Sequence, residues 1–412
     1  MRKIIVIAVI AAYCLFSGFS LWAMDFGIVV DQGASYQGVG EHSQFEYAAS
    51  VIPRFHALIG DSGELFISAG LTAEYRRHFF NPDNPAEYQY LWSPIPELFR
   101  TEFSWLFDNW DLQLGRMHYF DPLGFITGGL FDGARFSLHT GAGTFSAGAW
   151  YTGFLYRRRA NIKMTPDELN NHFVRADLND LANTYFAPSR AIAALDWEHP
   201  GLGERFRTRL SLLGQFDLTG ADLHTQYLTG RISLPAGAFL FDLGGCLGFI
   251  QQSEDFRMAF AADIRAAWIL PTAFLSRLSF LGRYASGDNG TFAPFLPVTT
   301  WTQGYLLRAK MTGISKLSLE YTARFNRFLT AGFSSSYFIR NDLTTYTGFP
   351  VRSADNTGRL MGNEFFGRLF WNPVSDLQFS LGGGVFMPSL GNTAPDAGNL
   401  WRVEVNLILS VF

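Results

Sequence analysis

The chain of 412 residues holds only two cysteines, Cys14 and Cys246. Cys14 falls in a leader described below, so one thiol remains and no internal disulfide can form. Lysine is nearly absent. Only Lys3, Lys163, Lys310 and Lys316 are lysine among 32 basic residues, and the other 28 are arginine. The formal net charge of −4 has the wrong sign for a nucleic-acid binder. Beyond the leader no apolar run reaches the roughly 20 residues that a membrane-crossing helix needs. Amphipathic helical periodicity, expected of a soluble domain of this length, is confined to one segment. The eight histidines (42, 56, 78, 118, 139, 172, 199 and 224) are scattered. They form neither a metal-ligand spacing nor a nucleophile–base pair. No enzyme, cofactor or metal site is expected.

The first residues read Met1-Arg2-Lys3, then run apolar from Ile4 to Phe16 and reach a small residue at Ala23. A charged start, a short apolar stretch and a small residue before the cut describe a secretory signal peptide. The expected division is a leader at 1–23 and a single domain at 24–412. Loss of Arg2 and Lys3 takes the charge from −4 to −6.

What the chain has in abundance is alternation. In Lys316–Phe325, KLSLEYTARF, the residues Lys316, Ser318, Glu320, Thr322 and Arg324 fall on one side of an extended chain. Leu317, Leu319, Tyr321, Ala323 and Phe325 fall on the other. Period two marks a strand with one polar and one apolar face. The pattern recurs in 18 expected strands, beginning near residues 25, 44, 63, 90, 109, 131, 143, 187, 204, 222, 237, 256, 275, 301, 315, 358, 374 and 400. Connections are short at 60–63, 106–109, 140–142, 199–203, 234–237, 269–274, 312–314 and 372–374. They are long at 78–89, 118–130, 158–186, 287–300, 328–357 and 388–399. Short turns at one end and long loops at the other are the layout of an outer-membrane β-barrel, with the short turns in the periplasm. Trp105, Trp110, Trp197, Trp268 and Trp371 flank the short turns, as an interfacial aromatic girdle does. The fold class expected is therefore all-β: a transmembrane, antiparallel, up-and-down barrel of about 18 strands, exported to the outer membrane of a double-membraned bacterium.

One helix is expected inside the 158–186 loop, at about 165–182. Thr165 can cap it, Pro166 suits its first position, and Glu168 completes a capping box. This loop is expected to fold over or into the mouth. Arg157-Arg158-Arg159 just before it could meet anions or surface glycolipid.

A barrel of 16–18 strands encloses an aqueous channel, so the polar faces matter. Parity turns 15 basic residues inward, among them Arg135, Arg205, Arg207, Arg209, Arg257, Arg265, Arg283, Arg308, Lys310 and Arg324. Nine acidic residues join them. Arginine suits carboxylate and phosphate, because its fork of donors binds them in pairs and stays charged. The same residues could instead brace the wall through ion pairs. The row Arg205, Arg207, Arg209 needs acidic neighbours or an anionic guest. Cys246 faces inward by parity.

The stretch RYASGDNGTFAPFLP, 283–297, resembles the Ser-Gly-Asp segment of the alginate-export family of outer-membrane porins. LQLGRMHYF at 112–120 followed by FDGARF at 131–136 resembles an earlier Gly-Arg and Asp-Gly-Ala-Arg pair of that family. The resemblance implies an 18-strand barrel and a passive, arginine-lined conduit for acidic, uronate-type saccharides. It marks Arg116, Arg135 and Arg283 as the motif arginines.

The function expected is a porin passing anionic solutes. The partners expected are outer-membrane lipid, the barrel-assembly machinery through a C-terminal strand ending in Phe412, and anionic small solutes or oligosaccharides; nucleic acid is not among them. Two other readings stay open. A fatty-acid-type transporter would want an apolar lumen and an N-terminal plug, for which the early start of alternation leaves no room. A surface adhesin would use the loops at 158–186 and 328–357.

Overall fold

A computed structural model describes residues 21–411 except 41, 80–90, 175, 178, 204 and 345–357. The leader at 1–20 and Phe412 lie outside the described residues. Eighteen strands form one antiparallel sheet in which each pairs with its neighbours in sequence. They are β1 (Leu21–Val39), β2 (His42–Ile59), β3 (Gly63–Phe79), β4 (Leu91–Leu106), β5 (Trp110–Phe120), β6 (Gly128–Thr140), β7 (Gly143–Tyr151), β8 (Arg190–Leu202), β9 (Phe206–Asp217), β10 (Leu223–Ala236), β11 (Phe239–Gln252), β12 (Asp255–Leu270), β13 (Leu275–Ala285), β16 (Ile314–Arg324), β17 (Leu329–Arg340), β18 (Leu360–Val374), β19 (Leu377–Met387) and β20 (Leu400–Val411). The two-residue strands β14 (Thr302–Gln303) and β15 (Ala309–Lys310) pair with each other in a connection. The sheet closes where β20 pairs with β1, from Val39 opposite Leu400 to Ile28 opposite Val411. Closure leaves no open edge in a solvent that offers no hydrogen bonds.

The apolar face of each strand looks outward. Leu212, Leu243, Leu247, Leu319 and Phe333 are all more than half exposed. So large an exposed apolar surface is incompatible with water on that side, and it meets lipid in a membrane barrel. The five tryptophans stand beside short turns, and Trp105, Trp110, Trp197 and Trp268 make aromatic contacts there. Phe107 stacks on Trp110 with ring centroids 4.2 Å apart, and Phe239 on Trp268 at 5.8 Å.

The expected strand count is right through two compensating errors. Residues near 301 do not make a barrel strand, because β13 runs through a connection at 286–313 into β16. Residues 329–340, expected within a long loop at 328–357, form β17. The turn expected at 312–314 thus lies at the long-loop end, and the short turn is at 325–328.

The interior is not simply aqueous. The β5–β6 hairpin leaves the wall: β4 pairs with β5 only as far as Arg116, and β7 pairs with β6 only as far as Asp132. From Met117 to Phe131 the two strands pair with each other alone, and their tip crosses the lumen. There Leu123 fits against Gly244 of β11, where a Cβ would come within 2.4 Å of the Leu123 side chain. Phe125 meets Phe295 of the 286–313 connection at 6.4 Å. Leu123, Phe125, Ile126, Phe295, Val298 and Leu307 form a buried core with the small wall residues Ala194, Cys246, Ala259 and Ala261.

Candidate functional site: the lumen

Three inward segments narrow the barrel: the β5–β6 tip, the β7–β8 connection (152–189) and the β13–β16 connection (286–313). Each is held by buried polar bonds. Asp121 accepts the backbone N–H groups of Leu123, Gly124, Ile126 and Thr127 and fixes the hairpin turn. Glu364 of β18, fully buried, accepts those of Tyr305, Leu306 and Leu307. Gly304, with φ of +88°, makes that approach possible, since a Cβ would stand 2.8 Å from a Glu364 oxygen. Between the connections, Thr300 N donates to Asn161 O at 2.9 Å.

In the β7–β8 connection the helices are α1 (Arg157–Ala160), α2 (Pro166–His172) and α3 (Leu181–Thr184). The expected helix is thus shorter than 165–182. The capping box is present: Thr165 accepts from Glu168 N, and Glu168 accepts from Thr165 N. Glu168 also takes Arg190, whose side chain is fully buried.

The sequence-expected lumen arginines divide by partner. Arg116 sits where the hairpin leaves the wall, 2.7 Å from Asp132, and donates to the carbonyls of Leu98 and Phe154. It clamps the departure point and is 6% exposed. Arg135 donates to Ser146. Arg207 and Arg209 both pair with Glu198, at 2.6 and 3.0 Å, while Arg205 lies in the β8–β9 turn, so the three do not form one free row. Arg265 and Arg283, with Arg231, surround the buried Asp263 at 2.7–3.1 Å. Arg257 pairs with Asp288 at 2.8 Å near the loop end. Arg324 donates to the turn carbonyls of Asn326 and Arg327. Arg308 and Lys310, on the β14–β15 hairpin, have no ion-pair partner among the described residues. Arg308 is exposed, within electrostatic range of Glu46, Arg76, Arg402 and Glu404.

Sequence parity missed the open passage. A cavity of about 920 Å3 lies against β1–β4, lined by Asp31, Arg54, Phe66, Glu97, Phe99, Arg100, Phe120, Arg158, Arg159 and Trp301 among others. Arg159 forks onto Glu97 at 2.9 and 3.1 Å, and Arg158 meets Glu74 at 2.7 Å. Arg100 lies 4.7 Å over Phe66 and pairs with Glu102. Arg54 has no ion-pair partner among the described residues. A shift of register between Ile67 and Ala69 in the β3–β4 ladder places both Phe99 and Arg100 against the cavity, which strict alternation forbids. The triple arginine at 157–159 was the one signal in the sequence for this passage. Among the described residues no group of His, Cys, Asp and Glu could hold a metal ion.

The fold is that of solved porin barrels. Pseudomonas aeruginosa OccK2 (OpdF) in complex with glucuronate superposes with a TM-score of 0.59 at 16% identity, over 95% of this chain and 99% of that one. P. aeruginosa OpdK with vanillate gives 0.59 at 12% identity, over 94% and 99%. P. aeruginosa OccK5 (OpdH) gives 0.58 at 11%, over 94% and 99%. Identities this low establish the architecture alone. No family model and no curated protein matches the sequence. The resemblance to the alginate-export family therefore finds no support. Its Gly-Arg and Asp-Gly-Ala-Arg segments have a local role instead: Gly115, at φ +110°, and the Arg116–Asp132 pair stand where the hairpin leaves the wall.

Proposed function

We propose that the chain is an outer-membrane channel for diffusion of small anionic solutes, with ring-bearing carboxylates such as uronate-type saccharides as its cargo. The observation that carries this reading is the passage beside β1–β4. It opens to solvent and is lined by Arg54, Arg100, Arg158 and Arg159, with the acids Asp31, Glu74 and Glu97 beside them, and by the rings of Phe66, Phe99, Phe120 and Trp301. Such a wall suits a carboxylate carried on a ring, because guanidinium groups take the charge and aromatic faces take the apolar side. The glucuronate and vanillate of the structural neighbours are ligands of this description. A conduit for hydrophobic solutes fits less well. The described interior apolar residues are packed against one another, and Phe125, Ile126, Phe295 and Val298 are all fully buried.

The test is single-channel recording in planar bilayers with a salt gradient. Anion preference in the wild type, weakened in Arg54→Gln, supports the reading. No conductance, or cation preference, sinks it. In this reading the apolar belt meets outer-membrane lipid and the long loops face outside. The final strand would serve recognition by the assembly machinery.

A further inference from the structure

Arg157, Arg158 and Arg159 follow one another in α1 and are spent unequally. Arg157 donates through all three guanidinium nitrogens, to the carbonyls of Phe186, Asn171 and Asn183 at 3.1, 2.9 and 2.7 Å. Arg159 forks onto Glu97, whose side chain is 3% exposed, and lies 5.0 Å from the centre of the Phe99 ring. Arg158 makes one bond to Glu74 at 2.7 Å and a longer one to the carbonyl of Phe173 at 3.3 Å. Its Nε is buried and has no hydrogen-bond partner. The side chain of Glu74 is 33% exposed. A single bond to a partly exposed carboxylate is exchanged more readily than a fork onto a buried one.

This loosely held arginine stands between two cavities. One is the passage of about 920 Å3 described above. The other, of about 340 Å3, is lined by Glu46, Tyr47, Arg76, Arg402 and Glu404 among others. Ala48, Glu74, Tyr156 and Arg158 border both. Strand register sets the order of the cavities along the barrel. Glu46 stands opposite Arg76 near the His42 end of β2, and Arg402 lies close to the Val39–Leu400 pair. Arg54 of the passage lies toward the other end of β2, by the short β2–β3 turn. The smaller cavity is thus the outer one. Its charges are already matched, Glu46 with Arg76 at 2.8 Å and Glu404 with Arg402 at 3.0 Å. At the junction two donors are unspent: the Nε of Arg158 and the hydroxyl of Tyr156, a residue 6% exposed. An unpaired buried donor is costly, so the junction favours a guest that accepts hydrogen bonds.

We propose that Arg158 passes carboxylates from the outer cavity to the inner passage: the incoming group replaces Glu74 on the guanidinium, and Glu74 recaptures Arg158 when the cargo moves on. Glu74 then acts as a resident competitor that keeps each stay short. Conduction asks for such a balance, with binding favourable enough to enter and weak enough to leave. Arg157 and Arg159 hold α1 in place during the exchange.

This inference rests on the reading of the chain as an anion channel, and the experiment separates the two. Chloride current through the reconstituted full-length protein is titrated with glucuronate, and the half-blocking concentration is read in a double-mutant cycle. Glu74→Gln removes the competitor and should lower that concentration about tenfold, equivalent to about 1.4 kcal/mol. Such a gain cannot come from misfolding. Added to Arg158→Gln, the same change should do nothing, because no guanidinium is left to release. Arg158→Lys keeps the charge and serves as a second background should the glutamine variant fail to fold; there the gain should shrink, since an ammonium cannot fork onto a carboxylate. Anion preference with no gain in Glu74→Gln overturns the exchange and leaves the channel standing. A full gain in either Arg158 background also overturns it, because charge alone would then set the block. Absence of anion preference in the wild type overturns the channel itself.

Discussion

The two sides of the barrel wall solve opposite problems. Along β8–β13 the inward faces are small or apolar at mid-barrel, with Ala194, Leu213, Gly244, Cys246, Ala259 and Ala261, and the inward segments pack onto them as a core. Along β1–β4 and β18–β20 the inward faces carry Arg54, Glu74, Arg76, Glu97, Arg368, Arg402 and Glu404, and water remains. One half of an 18-stranded barrel thus behaves like the inside of a soluble protein, the other like a channel. The difference shows that bore is set by what the wall accepts as well as by strand number. Notches such as Gly244 let a loop pack inward against the wall, whereas charged residues such as Glu74 and Glu97 meet the β7–β8 connection only through the ion pairs of Arg158 and Arg159 and leave a cavity beside them.

Breaking the balance between the halves should cost most at Asp263, the fully buried carboxylate that ties three arginines to the filled side. Asp263→Ala leaves those charges without a counter-charge, and losing one partner of a buried pair costs about 3–5 kcal/mol. Urea unfolding in detergent should show that loss. Next comes the outer face. Leu319→Arg places a charge against lipid, and should cost about 2–4 kcal/mol if it lies near the bilayer midplane, while Thr322→Arg on the inward face of the same strand should cost far less. Equal tolerance at the two positions would contradict the assignment of faces.

A smaller effect is expected at the join between the halves. Glu364→Ala strips the acceptor from three backbone N–H groups of the β14–β15 hairpin. Each orphaned donor costs about 1–3 kcal/mol where no water replaces the lost partner. The sharper readout is current: a loosened hairpin should widen the passage and raise conductance. Unchanged conductance would mean that the apolar core alone holds the connection in place.

The sequence made the wall legible and the filling illegible, for a physical reason. Period-two alternation is imposed by lipid on one face and water on the other, so strands such as Leu317–Phe325 announce themselves. Strand β17 did not, because Ser334, Ser335 and Ser336 interrupt the apolar row between Phe333 and Tyr337. The segment near 301 misled in the other direction, because Leu306 and Leu307 are apolar for an interior core rather than for lipid. The same holds for Leu123, Phe125 and Ile126, whose apolar side chains in a supposed outer loop have no place in water. They were a signal for an inward fold, readable together with the small residues on the inward faces of β11 and β12. The arginine assignments suffered differently. Parity gives the side on which Arg207 and Arg209 point, but not that Glu198 stands across the strand pair from them.

That pair supplies the smallest predicted effect and separates bracing from binding. Arg207, Arg209 and Glu198 are all partly exposed to the lumen, and exposed ion pairs contribute only about 0–1 kcal/mol. Glu198→Gln should therefore leave unfolding in urea nearly unchanged. Its electrical effect should be larger than its structural one, since it frees two guanidinium groups near the short-turn end. If Glu198 serves to mask them, anion preference rises in Glu198→Gln and falls again in Glu198→Gln/Arg207→Gln/Arg209→Gln. If reversal potential does not move in either variant, ions pass along the β1–β4 side beyond the reach of this cluster. At 0.15 M salt that reach is about 8 Å, so the measurement also maps which side of the barrel carries the current.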